Sequence, residues 1–170
     1  YSRNVASTLS MLSNVYEPLI RRDRELKLSP GLATEWKATG PTTWRFTLRK
    51  GVKFHDGAPF TADDVVFSYQ RVRGPGSLLA TVTRGSKEIR KIDDFTVEFE
   101  MAGPNPTFPD QMTSWLIMSK AWSEKNNAAK ATDLTKNETS FATMNANGTG
   151  PFVLKSRGAE FIEWNSAFFY

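Results

Sequence analysis

The strongest constraint on the fold is a strict alternation in two short stretches. Residues 44–49, WRFTLR, set Trp44, Phe46 and Leu48 against Arg45, Thr47 and Arg49. Residues 96–101, TVEFEM, set Val97, Phe99 and Met101 against Thr96, Glu98 and Glu100. Successive strand side chains point to opposite faces, so each stretch has one apolar and one polar face. One buried and one wet face is the pattern of an antiparallel sheet, because parallel sheets are covered on both sides.

Each stretch has a strand-like neighbour. Residues 32–37, LATEWK, place Leu32, Thr34 and Trp36 on one face, and Gly40-Pro41 marks the turn into WRFTLR. Residues 88–92, EIRKI, precede TVEFEM across Asp93-Asp94-Phe95. Between the two pairs the spacing predicts a helix. Thr61 is its N-cap and Asp64 its N3 residue, and Ala62, Val65, Val66, Tyr69 and Val72 form its apolar face. Asp63 and Asp64 also suit the positive end of the helix dipole, and Gly74-Pro75-Gly76 ends the helix.

The flanks are less regular. Val5, Leu9, Leu12 and Tyr16 fall at helical spacing over residues 5–19, with Pro18 limiting the helix, and RRDRELKL reads as a short hairpin or loop. A Pro-rich stretch, AGPNPTFPDQ, leads into MTSWLIMSKAW at 112–122. Residues 123–150 read as surface helix and loop, NGTGP at 147–151 as a turn, and FVLK with FIEW as a hairpin. The fold class is therefore α+β, mainly antiparallel sheet with packed helices.

Composition excludes several functions. The chain has 170 residues, 39% of them apolar and 24% charged, as in a globular protein. Net charge is +4, but the cations are dispersed among acidic neighbours, as in RRDRE at 21–25. This reads as a solvated surface, and no nucleic-acid partner is expected. Cysteine is absent and histidine occurs once, which excludes disulfides and a thiolate zinc site, so any metal site would be nearly all oxygen. No metal or other cofactor is expected. No apolar run approaches the ~18 residues of a membrane span. The first residues lack the charged-then-apolar pattern of a signal peptide. The aromatic end, Ala167-Phe168-Phe169-Tyr170, reads as a chain cut inside a larger fold.

The rare residues invite a catalytic reading: His55 and Asp56 would serve a hydrolase. A base needs a nucleophile and an orienting partner in reach, however, and Asp56-Gly57 is ordinary turn chemistry. No phosphate loop and no G-x-S-x-G elbow occurs. The NGT and NET triplets match a glycosylation sequon, which matters only in a eukaryotic secretory context. Trp115, in TSWLIM, reads either as core beside Trp122 or as an aromatic ligand platform. The competing classes are a binding module, a hydrolase using His55 and Asp56, and a basic nucleic-acid-binding module.

Five segments occur together: VYEPLIRRD, LSPGLATEW, TWRFTLRKGVKFHDGAPFTADDVVFS, IDDFTVEF and NGTGPFVLKS. In this order they resemble the family 5 extracellular solute-binding proteins of dipeptide, oligopeptide and nickel ABC transporters. The signature positions are Gly51, His55, Asp56, Gly57, Thr61, Asp64, Gly148, Gly150 and Pro151. The resemblance implies a lobe fragment of the periplasmic-binding-protein-like type II fold, peptide-binding class. Residues 1–14 would be an N-terminal helix region, 15–150 a domain II-like unit, and 151–170 a truncated hairpin returning to domain I. It further implies a monomeric, non-enzymatic, periplasmic receptor that takes a peptide or similar small solute and delivers it to a membrane permease. Ligand contacts would fall at Trp115, Ser114 and Leu116, with Tyr1 and Asn4 from the preceding segment.

Overall fold

The computed structural model describes residues 10–166 apart from 76, 78, 79, 134, 135, 137 and 158–161. A short hairpin comes first, β1 (Ile20–Arg22) with β2 (Leu28–Pro30). β3 (Ala33–Gly40) and β4 (Thr43–Leu48) follow, then helix α1 (Ala62–Val72) and a 3₁₀ turn at Ala80–Thr83. β5 (Ser86–Asp93) and β6 (Thr96–Met101) complete a four-stranded antiparallel sheet of order β3-β4-β6-β5. Three short helices come next: α2 (Phe108–Gln111), α3 (Lys120–Lys125) and α4 (Phe141–Met144). A separate hairpin, β7 (Phe152–Arg157) with β8 (Ile162–Ser166), ends the described chain.

The two alternating stretches are the two central strands, paired Trp44↔Phe99 and Phe46↔Val97. Their apolar faces point the same way and carry the core. Phe99 is its hub, with T-shaped contacts to Phe46 (5.3 Å), Phe108 (5.0 Å), Tyr69 (5.9 Å) and Trp115 (6.0 Å). Edge-to-face pairs of this kind add roughly 0.5–1.5 kcal/mol each beyond area burial. The opposite face is polar. Arg45 pairs with Glu98 at 2.7 Å, and Arg90 approaches the same carboxylate at 3.5 Å, so cross-strand charges tile the wet side.

Two expectations are corrected here. Leu32, Thr34 and Trp36 do not share a face: a register shift between Ala33 and Glu35 leaves Leu32 and Ala33 both buried and Thr34 exposed. A β-bulge of this kind turns consecutive residues to one side. The first helix also stops early, its last helical residue being Leu12, well before Pro18. Ser13 Oγ and Asn14 Nδ2 donate back to the Ser10 carbonyl, and the Asn14 and Val15 carbonyls accept from Phe152 and Gly150. Those acceptors serve the returning strand, which competes with helix continuation.

The α1 reading holds. Thr61 caps the helix, and Asp64 Oδ2 accepts from the Thr61 N–H at 2.9 Å, completing a capping box. Its apolar face lies against the sheet, with Ala62, Val65, Tyr69 and Val72 buried. The helix ends at Val72 with Arg73 as its C-cap. Among the described residues no helix is long and apolar enough to cross a membrane.

Candidate functional site

The conspicuous histidine belongs to a junction between distant parts of the chain. Phe54 and Ala58 close a tight turn, in which Gly57 supplies a φ of +87°. Asp56 is exposed, and its Oδ1 accepts from the Ala58 N–H at 3.1 Å, so the carboxylate orders its own turn. His55 is half-buried and faces the NGTGP segment. Its backbone N–H donates to the Gly148 carbonyl at 2.9 Å. The Gly148 N–H donates to Nδ1 at 3.3 Å, which leaves the ring proton on Nε2, 2.9 Å from the Gly150 carbonyl. Both ring nitrogens are thus engaged by backbone, as is the Asn147 Oδ1, which accepts from the Asp56 N–H at 3.1 Å.

The same segment is pinned from its other side. The Gly150 N–H donates to the Val15 carbonyl at 2.7 Å and the Phe152 N–H to the Asn14 carbonyl at 3.0 Å. The approach is so close that a Cβ on Gly148 would lie 2.0 Å from the Val15 oxygen, and one on Gly150 2.7 Å from the Asn14 oxygen. Tyr16 packs into the crossing, 6% exposed. Burial pushes its phenol up to about 12, against a backbone hydrogen bond from Asn147 and the nearby Arg71 cation, which both lower it. Asn147 Nδ2 and Thr149 Oγ1 are buried there without a hydrogen-bond partner among the described residues. Of the other signature positions, Gly51 sits in the turn after β4, and Pro151 is exposed just before β7.

TSWLIM is held differently. The Ile117 N–H donates to the Glu17 carbonyl at 3.1 Å, and Leu116 forms a β-bridge with Pro18. From α1, Ser68 Oγ both accepts from the Met118 N–H (2.9 Å) and donates to its carbonyl (3.3 Å). Asp64 Oδ1 accepts from the Lys120 N–H at 2.8 Å, so the capping carboxylate also anchors the start of α3. Burial raises the Asp64 carboxyl above its usual range, with the Lys120 and Thr61 amides opposing. Trp115 is 1% exposed, enclosed by Phe99 and Tyr69. Its ring is core in this structure and offers no open stacking face. Ser114 is exposed and Leu116 half-buried on either side of it. Tyr1 and Asn4 lie outside the described residues.

Sequence reading did not find Tyr16, Asn147 or Ser68 as organising residues. All three fall within the quoted segments, but their roles depend on contacts between parts far apart in the chain. Among the described residues there is no group of three or more His, Cys, Asp or Glu placed to hold a metal ion.

Comparison with known proteins defines the class. Residues 27–164 match the family described as "Bacterial extracellular solute-binding proteins, family 5 Middle". The dipeptide-binding protein of Escherichia coli K12 is 32% identical over 165 residues, covering 81% of this chain and 30% of that protein. Among solved structures, the Bacillus subtilis oligopeptide-binding protein AppA, in complex with a nonapeptide, superposes with a TM-score of 0.79 at 29% identity. That alignment covers 98% of this chain and 33% of AppA. NikZ from Campylobacter jejuni, in complex with Ni(L-His), gives 0.79 at 26% identity, covering 92% of this chain and 30% of NikZ. The chain belongs to the family 5 extracellular solute-binding proteins. It has the fold of the corresponding part of the peptide- and nickel-type periplasmic binding proteins, and it spans about a third of their length.

Proposed function

We propose that this chain is part of an extracytoplasmic receptor that captures a peptide or similar small solute and hands it to the permease of an ABC importer. The observation that carries the reading is the family match over residues 27–164, joined to a fold shared with relatives solved in complex with a nonapeptide and with Ni(L-His). Residues 15–150 are the domain II-like unit. Residues 1–14 and 151–170 are flanks belonging to domain I. The receptor is periplasmic, acts as a monomer, and is neither an enzyme nor a nucleic-acid binder. The engagement of both His55 ring nitrogens by backbone supports a structural role for that residue.

Solute contacts on this unit fall at Ser114 and Leu116. Trp115 sets the height of that segment from below. Tyr1 and Asn4 are further contacts by resemblance alone. Capture in such receptors is a population shift toward a closed state, driven by contacts from two lobes. A single lobe cannot supply that differential affinity, so the present chain binds the natural solute weakly. Mass spectrometry of small molecules co-purifying with the full-length protein tests the reading. A peptide or peptide-like solute in stoichiometric amount supports it, whereas turnover of that solute by the purified protein overturns it.

A further inference from the structure

A groove of about 540 Å³ runs beside the last turn of α1, walled by Phe67, Arg71 and Pro75 on one side and by Glu124, Lys130 and Asp133 on the other. Arg71 decides its chemistry. Its Nε donates to the Ala128 carbonyl at 3.1 Å, and no carboxylate among the described residues lies within ion-pair distance of the guanidinium. Its terminal nitrogens have no protein acceptor among those residues. Burial pulls this guanidinium below its ordinary value, with Tyr16 opposing. A half-buried cation without a counter-charge is costly unless an anion reaches it.

Two of the three carboxylates lining the groove make contacts of their own. Asp133 lies 3.4 Å from Lys136, and Glu138 accepts from the Asp133 backbone N–H at 3.1 Å. Glu124, exposed on α3, is the remaining carboxylate, and Lys130 is an exposed cation on the same wall. The buried Phe67 ring, with Pro75 and Ala131, gives the groove an apolar side.

We propose that this groove binds a small carboxylate-bearing molecule with an apolar body, its carboxylate taken by the outward nitrogens of Arg71. A guanidinium presents parallel N–H groups that match a carboxylate bidentately, which a point cation does not. No residue of TSWLIM lines the groove, and the proposal does not depend on which solute the receptor carries.

The test is a ¹H–¹⁵N titration of the 170-residue chain with N-acetylleucine and with its neutral amide. The acid should give saturable shifts at the Arg71 Nε–H and at the amides of 128–131, with the amide at least about tenfold weaker, a difference near 1.4 kcal/mol. Arg71→Gln should abolish the response, Arg71→Lys should weaken it, and Lys130→Gln should reduce it severalfold. If Arg71→Gln loosens the 128–131 loop by losing the Ala128 bond, the acid–amide comparison on the unaltered chain decides alone. Equal binding of acid and amide, or no saturation by about 20 mM acid, well beyond the millimolar regime, overturns the proposal.

Discussion

The Nε2 of His55 lies 2.9 Å from the carbonyl oxygen of Gly150, a residue 95 positions further along the chain. With Nδ1 accepting from Gly148, one imidazole spans the two glycines that let NGTGP press against Val15. The first expectation concerns this ring. His55→Ala leaves a donor and an acceptor of the crossing without their partner, which should cost about 1–3 kcal/mol. Urea unfolding followed by circular dichroism should show a lower midpoint with an unchanged slope. An unchanged midpoint would mean that the imidazole contributes nothing to the crossing.

Gly148→Ala is expected to be more severe, because the obstacle is backbone oxygen and cannot rotate away. We expect a loss of more than about 2 kcal/mol, in the range reserved for steric conflict in packed sites. Gly103→Ala is the control, since a Cβ there meets nothing within 4 Å. Thermal melts of the two variants should differ by many degrees. Equal melting would contradict the close approach.

Trp115→Ala should destabilise by about 3–5 kcal/mol, as for large aromatic truncations in cores. Ser114→Ala should melt like the parent. In the full-length receptor, Ser114→Ala and Leu116→Ala should weaken solute binding in calorimetry while leaving the melting temperature in place. Unaltered affinity in both variants would remove this segment from the solute contacts.

Asp64→Ala removes acceptors from two backbone amides at once, Thr61 and Lys120. A lost capping interaction alone costs about 0.5–2 kcal/mol. The second amide predicts a larger loss than Thr61→Ala gives. Hydrogen exchange should accelerate at Lys120 and through α3 as well as at the start of α1. Acceleration confined to α1 would refute the anchoring of α3.

Tyr16 gives a pH signature. Its phenol titrates near 12 when folded against about 10 in the unfolded chain. The native state therefore holds its proton after the unfolded state has lost it. The contribution is full below about pH 10 and is lost as pH rises through the folded value. Stability measured between about pH 10 and 12 should fall more steeply in the parent than in Tyr16→Phe. Parallel slopes would show that the phenol is not shielded.

The sequence revealed those elements whose period is local. Alternation in WRFTLR and TVEFEM gave the central strands and the buried face, and the Thr61–Asp64 pair gave the start of α1 to the residue. It misled where a tertiary contact outweighed the local pattern. Thr34 leaves its expected face because a bulge absorbs one residue, and the first helix ends at Leu12 because the Asn14 and Val15 carbonyls serve residues 150 and 152. The candidate site was legible only in part. The dense cluster of unusual residues around His55 drew attention correctly, but as a junction. Trp115 could be read as core or as platform because its segment lacks periodicity, and the structure turns the ring inward onto Phe99.

The crossing of 14–16 with 148–152 also has a topological meaning. The chain between those segments enters and leaves through a narrow neck, its two ends within hydrogen-bonding distance of each other. The closure entropy of this long loop is met at that neck by its own contacts, whatever scaffold lies beyond. With entry and exit side by side, such a unit suits grafting into a surface turn of another protein, provided Arg157 of β7, which donates to the Thr143 carbonyl at 2.6 Å, is carried with it.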